Sequence, residues 1–75
     1  MDHLKQIIAR VLQVSPDSVN DETSSQTLPQ WDSMGHMNVI MALENEFRVR
    51  FTVHEILEMR DIPAVKRVLL GRQAA

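Results

Sequence analysis

Residues 37 to 47, MNVIMALENEF, place apolar side chains around most of the circumference of one helix: Met37, Val39, Ile40, Met41, Leu43 and Phe47. A helix that is apolar nearly all round needs cover on several sides, which makes it a central element of the fold. The chain has 75 residues and no cysteine, so disulfides and thiolate metal sites are excluded. Cover for the central helix must therefore come from packing by other segments.

Three segments are suited to supply it. In HLKQIIARVLQV, residues 3 to 14, Leu4, Ile7, Ile8, Val11 and Leu12 recur at the spacing of one helical face. Ser15-Pro16-Asp17 is expected to end that helix, because proline disfavours the α conformation of the residue before it. Val14 and Val19 are placed to tuck under its end. Further on, Thr52 and Glu55 have the spacing of a capping box for a short helix over Val53 to Met59. Asp61 caps a last helix with Pro63 in its first turn, apolar at Ile62, Val65, Val68 and Leu69 and expected to stop at Gly71. The central helix itself is expected over residues 33 to 48. Its three methionines, Met34, Met37 and Met41, are unbranched and suited to filling irregular gaps.

No stretch alternates like a half-buried strand. The fold class expected is all-α, one domain over residues 1 to 75, with three principal helices and one short one. Between the first two helices runs a polar loop, Ser15 to Asp32, longer than the roughly 12–15 residues at which structureless loops become uncommon. Leu28 and Trp31, the sole tryptophan, are its expected anchors.

The net charge of −2 and the lack of a basic stripe argue against a nucleic-acid partner. No window approaches the ~18 apolar residues of a membrane span. Asp2 and Lys5 interrupt any early apolar run, against a signal peptide. The expectation is a soluble, cytoplasmic monomer with no membrane insertion and no metal site.

Chemistry concentrates at Ser33, where the polar loop meets the central helix. Three roles are open to it. Asp32 or Ser33 is a favoured helix cap. A nucleophile would need a base and an oxyanion hole. Of His3, His36 and His54, only His36 lies one turn away, without an evident carboxylate to orient it, and the GxSxG pattern is absent. Lastly, a hydroxyl in the first turn of a helix after a loop is exposed by construction, and that end of the helix suits a phosphate ester.

The stretch WDSMGHMNVIMALENEFRVRF, residues 31 to 51, resembles the second-helix signature of acyl carrier proteins: Asp-Ser-Leu, an apolar run, then acids before Phe. The resemblance extends over the whole chain, through VHEILEM and DIPAVKRVLL. It implies an acyl-carrier-protein-like bundle and a non-catalytic, discrete carrier. In that family the matching serine, here Ser33 with Asp32 beside it, carries covalent 4'-phosphopantetheine installed from coenzyme A by a phosphopantetheinyl transferase. The arm's thiol holds acyl intermediates as thioesters for acyl-activating, acyltransferase or synthase enzymes. The resemblance further implies partner contacts at Met34, Glu44 and Glu46, and an acyl shelter among Ile40, Leu43, Phe47, Ile56, Met59 and Ile62.

The sequence departs from the family in ways that bear on partners. Met34 stands for the usual leucine. Gly35, His36 and Asn38 occupy positions where relatives often carry acids, while Arg48 and Arg50 add positive charge just beyond. This surface suits a restricted set of partners and a specialised lipid, polyketide or related pathway better than general fatty-acid synthesis. Gly35 reads either as clearance for the arm or a partner, or as tolerance near a helix end. His36 reads as a surface residue. A peptidyl carrier is the related alternative, though that family more often has glycines where this chain has Gln30-Trp31-Asp32. An unmodified helical adaptor is the alternative of another class.

Overall fold

Four α-helices build the computed structural model, which describes residues 2–74 and the side-chain surroundings of residues 3–72: α1 (Asp2–Leu12), α2 (Ser33–Phe47), α3 (Val53–Glu58) and α4 (Ile62–Ala74). The expected all-α architecture, with one short helix and a long first loop, is the one observed. Leu4, Ile7, Ile8 and Leu12 of α1 are buried, and Val11 is half-buried against the same core. Val39, Ile40 and Leu43 of α2 meet them, and Ile62, Val65, Val68 and Leu69 of α4 close the cluster.

The central helix α2 is packed on several sides as expected, but one side is left without cover. Met34, Met37 and Met41 are 76%, 47% and 56% exposed, and they line up along one solvent-facing side. The neighbouring helices occupy only the sides holding Val39, Ile40 and Leu43. These methionines therefore fill no gap in the interior.

Three helix ends lie earlier than expected, that of α3 by one residue at Glu58 and the other two for one shared reason. The first helix ends at Leu12, not Val14, because Gln13 turns left-handed at φ 59°. Two reversed hydrogen bonds then consume the last carbonyls, Val14 N–H to Ala9 O at 3.0 Å and Gln13 N–H to Arg10 O at 3.3 Å. Arg48 does the same after α2 at φ 55°, with Val49 N–H reaching Glu44 O at 3.2 Å. A glycine signal is missing at both ends, since a side chain is tolerated there at a cost of about 1 kcal/mol. Pro16 does not stop α1. It opens a 3₁₀ turn, Pro16–Ser18, which the Ser15 side chain caps.

The polar composition of the long loop is turn chemistry. The Asn20 side chain accepts from Glu22 N–H, Ser24 Oγ from Gln26 and Thr27 N–H, and Thr27 Oγ1 from Ser24 N–H. Buried Thr23 donates its hydroxyl to Ser18 O and accepts from Asn20 N–H. Val19 and Trp31 are fully buried and Leu28 half-buried, so the loop is pinned at three apolar points. An isolated antiparallel bridge also ties it to the start of α4, through Ser25 N–H to Arg60 O at 2.9 Å and Ile62 N–H to Thr23 O at 3.2 Å.

The expected caps of α3 and α4 are present. Thr52 and Glu55 form the reciprocal capping box, and Asp61 accepts from Ala64 N–H at 2.8 Å. Glu55 also takes a two-pronged bond from the Arg72 guanidinium, whose Nε lies 3.1 Å from Glu55 Oε2. That guanidinium, helped by the Thr52 amide, holds the Glu55 carboxyl below its ordinary range, and the Glu55 carboxylate in turn pushes Arg72 up.

This pair also explains why α4 runs through Gly71 to Ala74, where the sequence predicted a stop. Continuing the helix brings Arg72 to Glu55, and Gly71 adopts no positive φ. A glycine inside a helix weakens it relative to alanine, and a Cβ at Gly71 would meet nothing within 4 Å. Gly71→Ala is therefore expected to raise stability by about 0.5–1 kcal/mol, read as a higher urea midpoint with unchanged slope.

Candidate functional site

The end of the long loop turns tightly into α2. Leu28 to Trp31 closes a turn with Trp31 N–H on Leu28 O at 2.9 Å, and Pro29 sits at its first inner corner. The Gln30 carbonyl then lies across the first turn of α2. A Cβ built at Gly35 would stand 2.3 Å from that oxygen, 3.0 Å from Leu12 Cδ2 and 3.2 Å from Asp32 Oδ1. Neither earlier reading of Gly35 holds. Its hydrogen gives clearance to the chain's own loop, on the buried side of the helix.

Asp32 takes the cap. Its side chain accepts from Gly35 N–H at 2.8 Å, which satisfies an amide that the helix leaves open. Ser33 is thereby relieved of capping. It is the first residue of α2 and exposed, and its hydroxyl makes no hydrogen bond with any described residue.

His36 corrects the expectation of a surface residue. It is 7% exposed and faces inward, one turn from Ser33. Its Nδ1 lies 3.0 Å from Trp31 Nε1 and its Nε2 2.7 Å from Ile56 O. An indole N–H only donates, so Nδ1 must accept and the ring proton sits on Nε2, donated to the Ile56 carbonyl. One imidazole thus joins the loop, α2 and α3. Both nitrogens are committed, so neither is available as a base for Ser33. His3 reaches Glu46 at 2.8 Å and His54 reaches Glu58 at 2.8 Å, which leaves Ser33 without a histidine partner among the described residues. The described residues also hold no cluster of three potential metal ligands.

The other expected site residues divide. Met34 stands in the open. Glu44 is half-buried and accepts from Phe51 N–H at 3.0 Å, bracing the turn after α2. Glu46 is held by His3 on the α1 side. Of the expected shelter residues, Ile40, Leu43, Met59 and Ile62 are fully buried, and Phe47 and Ile56 pack against the same cluster. Sequence reasoning missed three features of the site: the inward turn of His36, the packing role of Gly35, and the trough beside Ser33. The Trp31-to-His36 spacing of five residues was the one available signal, because a tryptophan buried at the start of a helix needs an acceptor for its N–H.

The sequence matches the model of the phosphopantetheine attachment site family over residues 2–69. The chain belongs to that family. Its fold is similar to the solution NMR structure of a holo acyl carrier protein from Geobacter metallireducens, with a TM-score of 0.86 and 26% identity over 97% of this chain and 84% of that one. No curated protein matches it. The chain is thus an acyl-carrier-type protein that does no catalysis itself, and its group is covalent 4'-phosphopantetheine. Such carriers are acted on by phosphopantetheinyl transferases and used by synthase enzymes. The residues present fit the group, since the Ser33 hydroxyl at the start of α2 is exposed and has no partner among the described residues.

Gly35→Ala tests the local architecture. Added bulk against a backbone carbonyl cannot be relieved by a side-chain rotation, so a loss of about 1–3 kcal/mol is expected in urea unfolding followed by Trp31 fluorescence.

Proposed function

We propose that Ser33 is the attachment point and that the chain carries acyl intermediates for a specialised pathway. One observation carries the first half. Asp32 does the capping, and the adjacent Ser33 hydroxyl is exposed and makes no hydrogen bond among the described residues. In the loading reaction Ser33 Oγ bonds to the phosphorus next to pantetheine in coenzyme A. The diphosphate bond breaks, the adenosine bisphosphate leaves, and a base of the transferase takes the hydroxyl proton. Once attached, the arm supplies a thiol that holds the acyl group as a thioester. The chain's own part is to present the oxygen and hold the loop behind it.

The second half rests on the outward side of α2. It shows Met34, Met37, Asn38, Met41 and Asn45, all exposed, and Arg48 follows at its end. Of the two acids within α2, Glu44 is engaged with the Phe51 amide and Glu46 is turned to His3. Partner contact accordingly falls on Met34, Met37 and Met41, a polarizable and adaptable stripe, with Glu44 at its edge. Such a face selects partners with an apolar seat more than a basic one.

Cargo shelter among Ile40, Leu43, Phe47, Ile56, Met59 and Ile62 requires α3 to move, because the core there is closed. Of the four helices α3 is the shortest, at six residues, and it contributes no fully buried residue. Each methylene sheltered gains ~0.8 kcal/mol, against the His36–Ile56 and Glu55–Arg72 bonds that hold α3 down.

Intact mass after incubation with coenzyme A, Mg²⁺ and a broad-specificity phosphopantetheinyl transferase tests the attachment point. One phosphopantetheine addition is expected for the wild type and none for Ser33→Ala; an unmodified wild type would leave a helical adaptor instead. In the same assay Met37→Asp is expected to lower kcat/KM about tenfold, the factor that ~1.4 kcal/mol of lost contact gives, while Glu46→Lys leaves it unchanged. The reverse ranking would return docking to the acids.

A further inference from the structure

Beside Ser33 lies a solvent-open trough of about 520 Å³, walled by three separate parts of the chain. Ser25 and Gln26 come from the long loop, Trp31 and Ser33 from the entry to α2, and Arg60 and Asp61 from the junction of α3 and α4. The bridge between Ser24 and Asp61 fixes the first and third walls against each other.

The polar groups on these walls fall into two sets. Asp32 and Asp61 are both spent on helix amides, of Gly35 and Ala64 respectively. Ser24 Oγ is spent on the Gln26 and Thr27 amides. By contrast, the Arg60 guanidinium pairs with no carboxylate among the described residues. The Ser25 hydroxyl and the Gln26 side-chain amide likewise make no hydrogen bond there. Residues with an uncommitted cation, hydroxyl and amide thus line the same trough as Ser33.

We propose that this trough is the resting berth of the phosphopantetheine arm, with Arg60 pairing to its phosphodiester and Ser25 and Gln26 meeting its pantetheine amides. The proposal rests on Ser33 as the attachment point. The chemistry selects this direction over the other exposed one. Pantetheine's amides could meet Asn38 or Asn45 on the methionine side of α2 as well as Gln26 in the trough. Only the trough sets a cation, Arg60, on walls shared with Ser33, since Arg48 stands at the far end of α2. Within the trough the two carboxylates repel a phosphate, so the diester's place is at the guanidinium, a planar donor suited to phosphate oxygens. Exposure keeps the pairing weak and salt-sensitive, as an arm that must swing out to a partner requires.

The test uses amide ¹H–¹⁵N spectra of the apo and holo chain, with intact mass confirming the holo state. Arm attachment is expected to shift Ser25, Gln26, Arg60 and Asp61 as well as the neighbours of Ser33. In holo Arg60→Gln the shifts at Ser25 and Gln26 collapse toward the apo positions, and the ³¹P resonance of the diester moves from its wild-type value. Arg60 is exposed and spends no side-chain bond on the fold, so this variant folds. Shifts confined to residues 32–36, or spread along Met34, Met37 and Met41, would overturn the berth while leaving the attachment reading intact. A wild-type chain that gains no mass would overturn both.

Discussion

A buried imidazole with both nitrogens committed holds the functional end of this protein in place. Through His36 the Trp31 indole gains the acceptor that it needs inside the core, and the Ile56 carbonyl near the end of α3 gains a donor. Either group left alone in the interior would cost about 1–3 kcal/mol. With Trp31 fixed, the turn from Leu28 lays the Gln30 carbonyl over α2, and only a glycine at position 35 leaves room for it. Asp32 then falls at the capping position and Ser33 one residue further, facing out. The presentation of a single hydroxyl thus depends on packing behind it.

The same arrangement accounts for the uneven hold on the helices. The apolar sides of α1, α2 and α4 share one continuous core. By contrast α3 gives that core only the half-buried Ile56, and polar bonds add to its hold, the capping box with Arg72 near its start and the His36 contact near its end. Polar, partly solvated bonds break more readily than a packed core opens, so any opening of the bundle starts at α3. On the opposite side the methionines of α2 remain outside because no fourth segment covers them. An apolar surface that the fold leaves bare in a line beginning beside Ser33 suits the partner contact proposed above.

Much of this was legible in the sequence. The period of Leu4, Ile7, Ile8 and Leu12, the Thr52–Glu55 spacing and the Asp61-Pro63 start each reported a local preference that the fold did not override. The motif around Ser33 marked the site because its residues are contiguous. What stayed illegible was set by contacts across the chain. Whether His36 points in or out is decided by Trp31 and by a carbonyl 20 residues away. Gly35 answers to the path of the preceding loop, and Gly71 is overruled by Arg72 reaching Glu55. Met37 and Met41 read as core because periodicity reports apolar sides without telling which of them has a neighbour. The trough beside Ser33 joins three segments far apart in sequence, and no local pattern announces such a meeting.

The ring state of His36 offers the most direct test of this dependence. A long-range ¹H–¹⁵N correlation spectrum of the imidazole, with the exchange rate of the Trp31 indole proton, reports both ends of the contact at once. Nδ1 bare, Nε2 protonated and an indole proton protected from exchange are expected. A ring protonated on Nδ1, or an indole proton that exchanges as fast as in a peptide, would show that the site is held in some other way.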